Sequence, residues 1–187
     1  GLREVHAEAF LKEDFNEAVF TRLDVEHYNA RTDGKPFDME GFMTDATGYK
    51  STFMPYAEVA DMFIAGHYWA EGSPFLFTRE DIKSASWNVK VVADVSCDID
   101  GPVACTLRPS TIAEPLYGYN PSTESECAMD DPSGITVMAV DNLPCELPRD
   151  ASHGFGKDMM AHVVPLLVGG DRDDMLTNAT QTTLEGA

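Results

Sequence analysis

The chain has 187 residues, of which 43% are hydrophobic and 10% aromatic, so it is long enough for a core and too apolar for wholesale disorder. Its 32 acidic residues outnumber the 13 basic residues and give a formal net charge of −19. Because such a surface repels phosphate backbones and anionic lipids, we expect no nucleic-acid partner and no membrane partner.

The sequence also lacks membrane and secretion signals. No apolar run approaches the ~20 residues that a membrane-spanning helix requires. The first residues, GLREVHAEAF, have neither the basic start nor the apolar centre of a signal peptide, so we expect a cytoplasmic protein. The four cysteines show no Cys-x-x-Cys spacing, which favours free thiols in a reducing compartment.

The N-terminal part of the chain gives weaker structural signals than the rest. Residues 6–36 mix polar and apolar positions without clean periodicity. Asp38 is a suitable N-cap and predicts a short helix after it. A second helix is predicted over about 47–60, with Phe53, Met54 and Ala57 on its apolar side.

Three apolar segments predict buried strands. They cover residues 61–66 (DMFIAG), 90–96 (KVVADVS) and 135–140 (ITVMAV). The third segment carries no charge and is rich in β-branched residues, which is typical of a central strand buried on both faces. Between the first two strands, Thr78 is a suitable N-cap for a helix that reaches about Ser84.

An insertion and a long helix are predicted in the C-terminal half. Prolines exclude a long helix from residues 103–134, where Tyr117-Gly118-Tyr119 predicts a short edge strand and the polar tract 122–133 predicts an exposed loop. After Pro148, apolar residues at four-residue spacing predict one helical face, and Gly169-Gly170 predicts its end. These apolar residues are Phe155, Met159, Val163 and Leu167.

The alternation of strands and helices predicts an α/β fold, with a partial Rossmann-like, mostly parallel sheet flanked by helices. In such sheets, ligands bind outside the carboxyl ends of the strands. Polar residues follow each of the predicted strands at that end: His67-Tyr68, Asp98, and Asp141-Asn142. We therefore expect these residues to line a common ligand crevice.

Several of the polar residues have a structural interpretation as well as a functional one. Asp98 is either a catalytic carboxylate or an Asx-turn cap at the end of its strand, and the residues alone leave both open. We interpret Asp94 and Asp100 as structural, Trp69 as filling the top of the sheet, and Arg108 as a surface residue.

No metal site is predicted. The run from Ser96 to Gly101 is similar to the start of a calcium loop, but its twelfth position is Leu107, where that loop needs an acid. The spacing of His67 and His153 with the cysteines matches no zinc pattern.

Two runs of sequence carry a family resemblance. VMAVDNLPCELPRDAS at 137–152 and VVADVSCDIDGP at 91–102, together with Thr111-Ile112, resemble the C-terminal half of the lysine-forming saccharopine dehydrogenases, in the alanine dehydrogenase–transhydrogenase superfamily. The resemblance covers roughly residues 60–170. The DNLP-x-ELPR-x-AS pattern is specific enough to make chance a poor explanation.

This resemblance implies an NAD- or NADP-dependent dehydrogenase with an amino-acid substrate. Such an enzyme oxidises a secondary amine by hydride transfer to the nicotinamide and then hydrolyses the imine. The resemblance implies that Asp98 is catalytic and that Asp141-Asn142-Leu143 lie against the nicotinamide end of the cofactor. His67 and Tyr68 would contact the cofactor through backbone and ring.

The sequence lacks the G-x-G-x-x-G turn that seats the cofactor pyrophosphate in a complete dinucleotide fold. The family's substrate domain would precede residue 1. We therefore expect residues 1–147 to be the C-terminal part of a nucleotide-binding domain with an insertion at about 103–134. Residues 148–187 would be a crossing helix and a tail returning toward a missing substrate domain. Such a piece would have little turnover alone, and its exposed sheet edges favour a homo-oligomer.

Two other functions remain open from the sequence. One is a non-catalytic α/β module that binds a partner chain through its acidic face and exposed aromatic residues. The other is an alanine-dehydrogenase-like oxidoreductase, because this half of the family fold does not decide the substrate.

Overall fold

A computed structural model describes residues 1–182 of the chain. The chain forms two compact units, Gly1–Asp141 and a second unit that begins at Asn142. This division falls inside the run at 137–152 that carries part of the family resemblance. The assignment of residues 1–147 and 148–187 to two functional parts stays a prediction.

The N-terminal part of the first unit consists of short elements. They are β1 (Arg3–Glu4), α1 (Ala7–Lys12), β2 (Val19–Phe20), α2 (Val25–Tyr28), β3 (Asn29–Arg31), α3 (Met39–Thr44), β4 (Tyr49–Ser51) and α4 (Met54–Ala57). Strands β1 and β2 pair in parallel, and β3 pairs with β4 in an antiparallel ladder. The helix predicted after Asp38 is confirmed as α3.

The helix predicted over residues 47–60 is wrong. Residues Tyr49–Ser51 form β4 and pair with β3, and they separate a 3₁₀ turn (Ala46–Gly48) from the single α-helical turn α4. Phe53, expected on the apolar side of that helix, is the N-cap residue of α4 and lies buried in the core. Strand pairing and burial therefore outweigh the local helix preference of this segment.

A five-stranded sheet organises the rest of the first unit. It contains β5 (Met62–Ala65), β6 (Val91–Asp94), β7 (Leu116–Asn120), β8 (Ser125–Cys127) and β9 (Ile135–Met138), with the helix α5 (Arg79–Ile82) between β5 and β6. The strand order is β5-β6-β9-β7-β8. The strands β5, β6 and β9 are parallel, and they are the strands that the sequence predicts. The α/β class with a mostly parallel sheet flanked by helices is thus confirmed and is compatible with a partial Rossmann-like fold.

The insertion contributes more to the sheet than its sequence indicates. The strand predicted at Tyr117-Gly118-Tyr119 exists as β7, but it is not an edge strand, because β9 pairs with it on one side and β8 on the other. The tract 122–133, predicted as an exposed loop, contains the true edge strand β8. Gly118 permits this pairing, since a Cβ atom there would lie 2.8 Å from the carbonyl oxygen of Cys127.

One face of the sheet carries the core, and on the other face the edge strand β5 is exposed. On the core side, the register aligns Phe63, Val92 and Val137, and the ring of Phe63 lies 4.7 Å from that of Phe53. On the opposite side, Met62 and Ile64 are 53% and 63% exposed. The central strand β9 alternates buried and half-buried residues, so the prediction that it is buried on both faces is wrong.

The second unit is mainly one long helical run. A 3₁₀ turn (Leu143–Glu146) leads into α6 (Pro148–Asp158), a π-helical segment (Met159–Val163), α7 (Val164–Gly169), a second 3₁₀ turn (Arg172–Asp174) and α8 (Met175–Asn178). The predicted start at Pro148 is confirmed, and so is the end, where Gly170 adopts a φ of 97°. No helix in residues 1–182 is long and apolar enough to cross a membrane.

The apolar face predicted on this helix is present but exposed. Phe155 and Leu167 are 70% and 65% exposed. No residue described in α6, the π-helical segment or α7 is buried.

Candidate functional site

The sheet register brings the carboxyl ends of the three parallel strands to one edge. Ala65 at the end of β5 aligns with Asp94 at the end of β6, and Ala93 aligns with Met138 at the end of β9. His67, the turn containing Asp98, and Asp141 follow these strand ends in the sequence. We name the group His67, Asp94, Cys97, Asp98 and Asp141 the carboxyl-end site.

Asp94 is the residue around which this site is built. It is fully buried, at 0% exposure. Its Oδ1 atom accepts hydrogen bonds from the Ser96 amide (3.1 Å), the Ser96 hydroxyl (2.6 Å) and the Cys97 amide (3.1 Å). Its Oδ2 atom accepts one from the Thr106 hydroxyl at 2.6 Å. Asp94, rather than Asp98, therefore caps the end of its strand.

Cys97 links the turn to the neighbouring strand β9. Its backbone has a φ of 56°, in the left-handed region, and its thiol donates a hydrogen bond to the carbonyl oxygen of Ala139 at 2.8 Å. Burial, together with the charges of Asp94, Asp141 and Asp98, raises the pKa of the Cys97 thiol to about 11. This thiol is therefore a packing and hydrogen-bonding group rather than a nucleophile. All four cysteines are free, as the sequence predicts.

Asp98 lies in a tight turn with an accessible carboxylate. Its backbone carbonyl accepts a hydrogen bond from the Gly101 amide at 3.0 Å. The turn requires glycine at 101, because a Cβ atom there would lie 2.6 Å from the Cβ atom of Asp98. Within the described chain, no group donates a hydrogen bond to the Asp98 carboxylate. Asp98 is half-buried and thus available to a ligand.

His67 contributes an imidazole with an unused nitrogen. Its Nε2 atom is buried, and no residue in the described part of the chain forms a hydrogen bond with it. The ring of Tyr28, at the end of α2, meets the imidazole edge to face with 6.2 Å between centroids. Burial lowers the pKa of His67, and the charges of Asp94 and Asp98 oppose this effect. The neutral imidazole is therefore favoured at neutral pH.

The other predicted site residues have different surroundings. Tyr68 is 86% exposed, whereas the Trp69 indole donates a hydrogen bond to the Ser73 carbonyl and packs near Phe75, as a structural residue would. Asn142 and Leu143 belong to the second unit, where Asn142 is exposed and its carbonyl accepts a hydrogen bond from the Cys145 amide. The structure thus brings His67, Asp98 and Asp141 to one edge of the sheet.

The remaining charged candidates are held in ion pairs at the surface. Asp100 lies 3.3 Å from the Arg79 guanidinium, and Arg108 forms a two-point contact with Glu126 at 2.6 and 3.0 Å. The structural interpretation of Asp100 and the surface interpretation of Arg108 agree with these contacts.

The carboxyl-end site is electrostatically negative. Asp94, Asp98 and Asp141 form no ion pair with any lysine or arginine among residues 1–182. No cluster of three or more possible metal ligands occurs in that part of the chain either. Uncompensated carboxylates repel phosphate and attract cations, so the site suits a cationic or neutral ring, or an ammonium group, better than a pyrophosphate.

The sequence indicates neither the contact of Tyr28 with His67 nor the supporting role of Asp94. Tyr28 lies far from His67 in sequence, on a four-residue helix that has no periodic signal. The structural interpretation of Asp94 agrees with its burial and with its hydrogen bonds to Ser96 and Cys97, which are of a local kind, since an aspartate commonly caps the two residues that follow it.

Comparison with known proteins gives relatives with two names, alpha-aminoadipic semialdehyde synthase and saccharopine dehydrogenase. No protein-family model matches the chain. The alpha-aminoadipic semialdehyde synthase of Arabidopsis thaliana is 30% identical over 139 residues, covering 71% of this chain. The mitochondrial alpha-aminoadipic semialdehyde synthase of Mus musculus is 27% identical over 176 residues, covering 83% of this chain. The saccharopine dehydrogenase (NAD(+), L-lysine-forming) of Candida albicans is 29% identical over 114 residues, covering 60% of this chain.

The chain spans only 12%, 19% and 28% of the lengths of these three relatives. The similarity to both kinds of relative agrees with the resemblance carried by residues 91–102 and 137–152. The similarity to these relatives, together with the mostly parallel sheet, shows that the chain belongs to the saccharopine dehydrogenase-like superfamily.

Proposed function

We propose that this chain is the nicotinamide-facing part of an NAD- or NADP-dependent oxidoreductase that acts on a secondary amine of an amino-acid substrate. The observation that carries the proposal is the position of His67, Asp98 and Asp141 in the segments that follow the carboxyl ends of three parallel strands. Ligands of open α/β sheets bind at this edge. The names of the relatives, which include an NAD-dependent saccharopine dehydrogenase, support the same class.

The residues of the carboxyl-end site fit the nicotinamide end of such a cofactor. The oxidised ring is cationic, which suits the uncompensated carboxylates, and the unpartnered Nε2 atom of His67 offers a hydrogen-bonding position for a polar group. The same residues do not fit a pyrophosphate. When bound, the cofactor would accept a hydride from the carbon next to the substrate nitrogen.

We assign a role to each residue of the proposed site. Asp98 is the catalytic carboxylate and stabilises positive charge beside the reacting carbon. Asp141 lies against the nicotinamide ring, partly through the main chain. His67 and Tyr68 contact the cofactor from the end of β5. In the reaction, the secondary amine loses a hydride and a proton to give an imine, and water then divides the imine into an amine and a carbonyl compound.

Ligand titration tests the proposal. NADH is titrated into the whole chain while the fluorescence of Trp69 and Trp87 is recorded. Saturable binding in the micromolar range supports the proposal, and no binding at millimolar concentration overturns it. Nicotinamide mononucleotide should compete and ADP-ribose should not, because the described site fits only the ring end of the cofactor.

The substitution Asp98→Asn tests the catalytic carboxylate. It removes one charge without changing the size of the side chain, and we expect NAD⁺ binding to weaken about tenfold, or ~1.4 kcal/mol. Asp100→Asn is the matched control, because Asp100 is two residues away, exposed and paired with Arg79. Equal affinities of the two variants would exclude Asp98 from the binding site.

A non-catalytic binding module is the second candidate function. The exposed apolar residues Met62 and Ile64 of the edge strand β5 favour it, and the same strand suits a homo-oligomer. An alanine-dehydrogenase-like substrate is compatible with the fold but would differ from the substrates in the relatives' names.

We keep a cytoplasmic location as a proposal, although the mouse relative is named mitochondrial.

A further inference from the structure

The first unit contains a fully buried carboxylate, that of Asp94, without a cationic partner in the described chain. Asp94 has no exposed surface, and its hydrogen-bond donors are two amides and two hydroxyls. An acidic side chain in such a place is costly unless every acceptor is used. A residue that served only to fill the end of β6 would be better replaced by an apolar one.

The donors to Asp94 are the residues that shape the turn before Asp98. The Cys97 amide is among them, and Cys97 adopts a left-handed backbone that residues other than glycine rarely take. Asp98 follows directly. The hydrogen bond from Cys97 to Asp94 therefore sets the direction in which the chain presents the Asp98 carboxylate.

The same turn is connected to the end of β9. The Cys97 thiol donates to the Ala139 carbonyl, which also accepts a hydrogen bond from the Ser110 amide at 2.7 Å. The Ser110 hydroxyl in turn accepts from the Ala139 amide at 3.0 Å. Ala139 precedes Asp141 by two residues, so the position of Cys97 is linked to that of Asp141.

The fourth hydrogen-bond donor to Asp94, Thr106, lies twelve residues later in the chain. The Thr106 hydroxyl reaches Asp94 at 2.6 Å, and Thr106 is itself buried. The charge of Asp94 also acts on His67, together with that of Asp98, while the Tyr28 ring packs on the imidazole.

We propose that Asp94 is the positioning residue of the carboxyl-end site: by holding Cys97 and Thr106 it fixes Asp98 and Asp141 relative to each other. The expected effect of Asp94 on ligand binding rests on the proposed function. The expected effects of Asp94 on the turn and on His67 do not depend on that function. Supporting residues of this kind decide whether a site has the required geometry.

A pair of substitutions at Thr106 tests the positioning role in the whole chain. Thr106→Val keeps the shape but removes the donor to Asp94, and Thr106→Ser keeps the donor. We expect Thr106→Val to weaken NADH binding about tenfold, as for outer supporting residues at other sites, and Thr106→Ser to restore it. If the unsubstituted chain binds NADH, an equal affinity of Thr106→Val would overturn the proposal.

The titration of His67 gives a readout that a merely structural role would not move. In Asp94→Asn the side chain keeps its size but loses its charge, so the pKa of His67, followed by NMR of the imidazole protons, should fall further. In Thr106→Val the charge remains and the pKa of His67 should stay unchanged. An unchanged His67 titration in a folded Asp94→Asn variant would contradict the proposed charge effect, and if that variant does not fold, the Thr106 pair decides.

Hydrogen exchange separates this proposal from the proposed function. Thr106→Val should speed the exchange of the Ser96 and Cys97 amides, whether or not the chain binds NADH. Faster exchange without any NADH binding would retain the positioning role for the turn and reject only the cofactor. Unchanged exchange would reject the positioning role even if NADH binds.

Discussion

His67 combines a buried nitrogen atom with two nearby carboxylates. Burial lowers its pKa below the ordinary value of 6.5, and the charges of Asp94 and Asp98 oppose this shift. The unfolded chain keeps the ordinary value, so just below pH 6.5 it binds a proton that the folded chain does not. The free energy of unfolding contributed by His67 is therefore full above pH 6.5 and decreases as the pH falls below it.

This pH dependence can be measured on one substitution. In His67→Gln the titrating group is lost, so the decrease in the free energy of unfolding between about pH 6.5 and pH 5 should become smaller. Urea unfolding at several pH values measures the effect. His6→Gln, at an exposed position of the same unit, is the matched control. The same pH slope in both variants would mean that the His67 imidazole is not buried in solution.

The sequence predicts the polar residues that follow the strands better than the buried contacts that support these residues. Asp98 and Asp141 were identified because polar residues directly follow apolar runs. The role of Asp94 depends on Thr106, twelve residues later, and the packing of His67 depends on Tyr28. These contacts are formed by tertiary folding, so no local pattern indicates them.

At the scale of elements, the long apolar runs were predicted and the short strands were not. Strands β5, β6 and β9 are marked by runs rich in apolar and β-branched residues, whereas β1 to β4 have only two or three residues each. Two or three residues are too few to show the alternation of apolar and polar side chains that indicates a strand. Strand β8 contains Glu126 and is stabilised by pairing with β7, which its polar sequence does not indicate.

The π-helical segment has a local cause. The Val164 amide donates to the Met159 carbonyl, five residues back, directly before Pro165. Proline has no amide hydrogen and its ring collides with the carbonyl four residues earlier, here that of Ala161. The helix widens by one residue to avoid this collision.

Replacing Pro165 tests that cause. We expect Pro165→Ala to convert residues 159–163 to regular α-helix and to stabilise the second unit by up to ~3 kcal/mol, the cost of an interior proline. Backbone chemical shifts of 159–163 and far-ultraviolet circular dichroism measure the change. Pro148→Ala should have little effect, because the first helical position needs no amide donor. A π-helical segment that persists in Pro165→Ala would show that another interaction causes it.

At the scale of the whole molecule, charge dominates. With a net charge of −19, the folded chain repels itself more strongly than the expanded one. Added NaCl screens this repulsion, so the midpoint of thermal unfolding should rise with the NaCl concentration up to about 1 M, where the Debye length is ~3 Å. A midpoint that falls with added NaCl would mean that the ion pairs, such as Lys83 with Glu124, contribute more than the repulsion removes.

The unpaired carboxylates at the strand ends have a consequence for redox chemistry under the proposed function. An oxidised nicotinamide is a cation and a reduced one is neutral, so Asp98 and Asp141 would hold the former more tightly. A site that prefers the oxidised form lowers the reduction potential of the ligand it binds. The protein would therefore release the reduced nicotinamide readily, but the driving force for oxidation of the amine would be smaller.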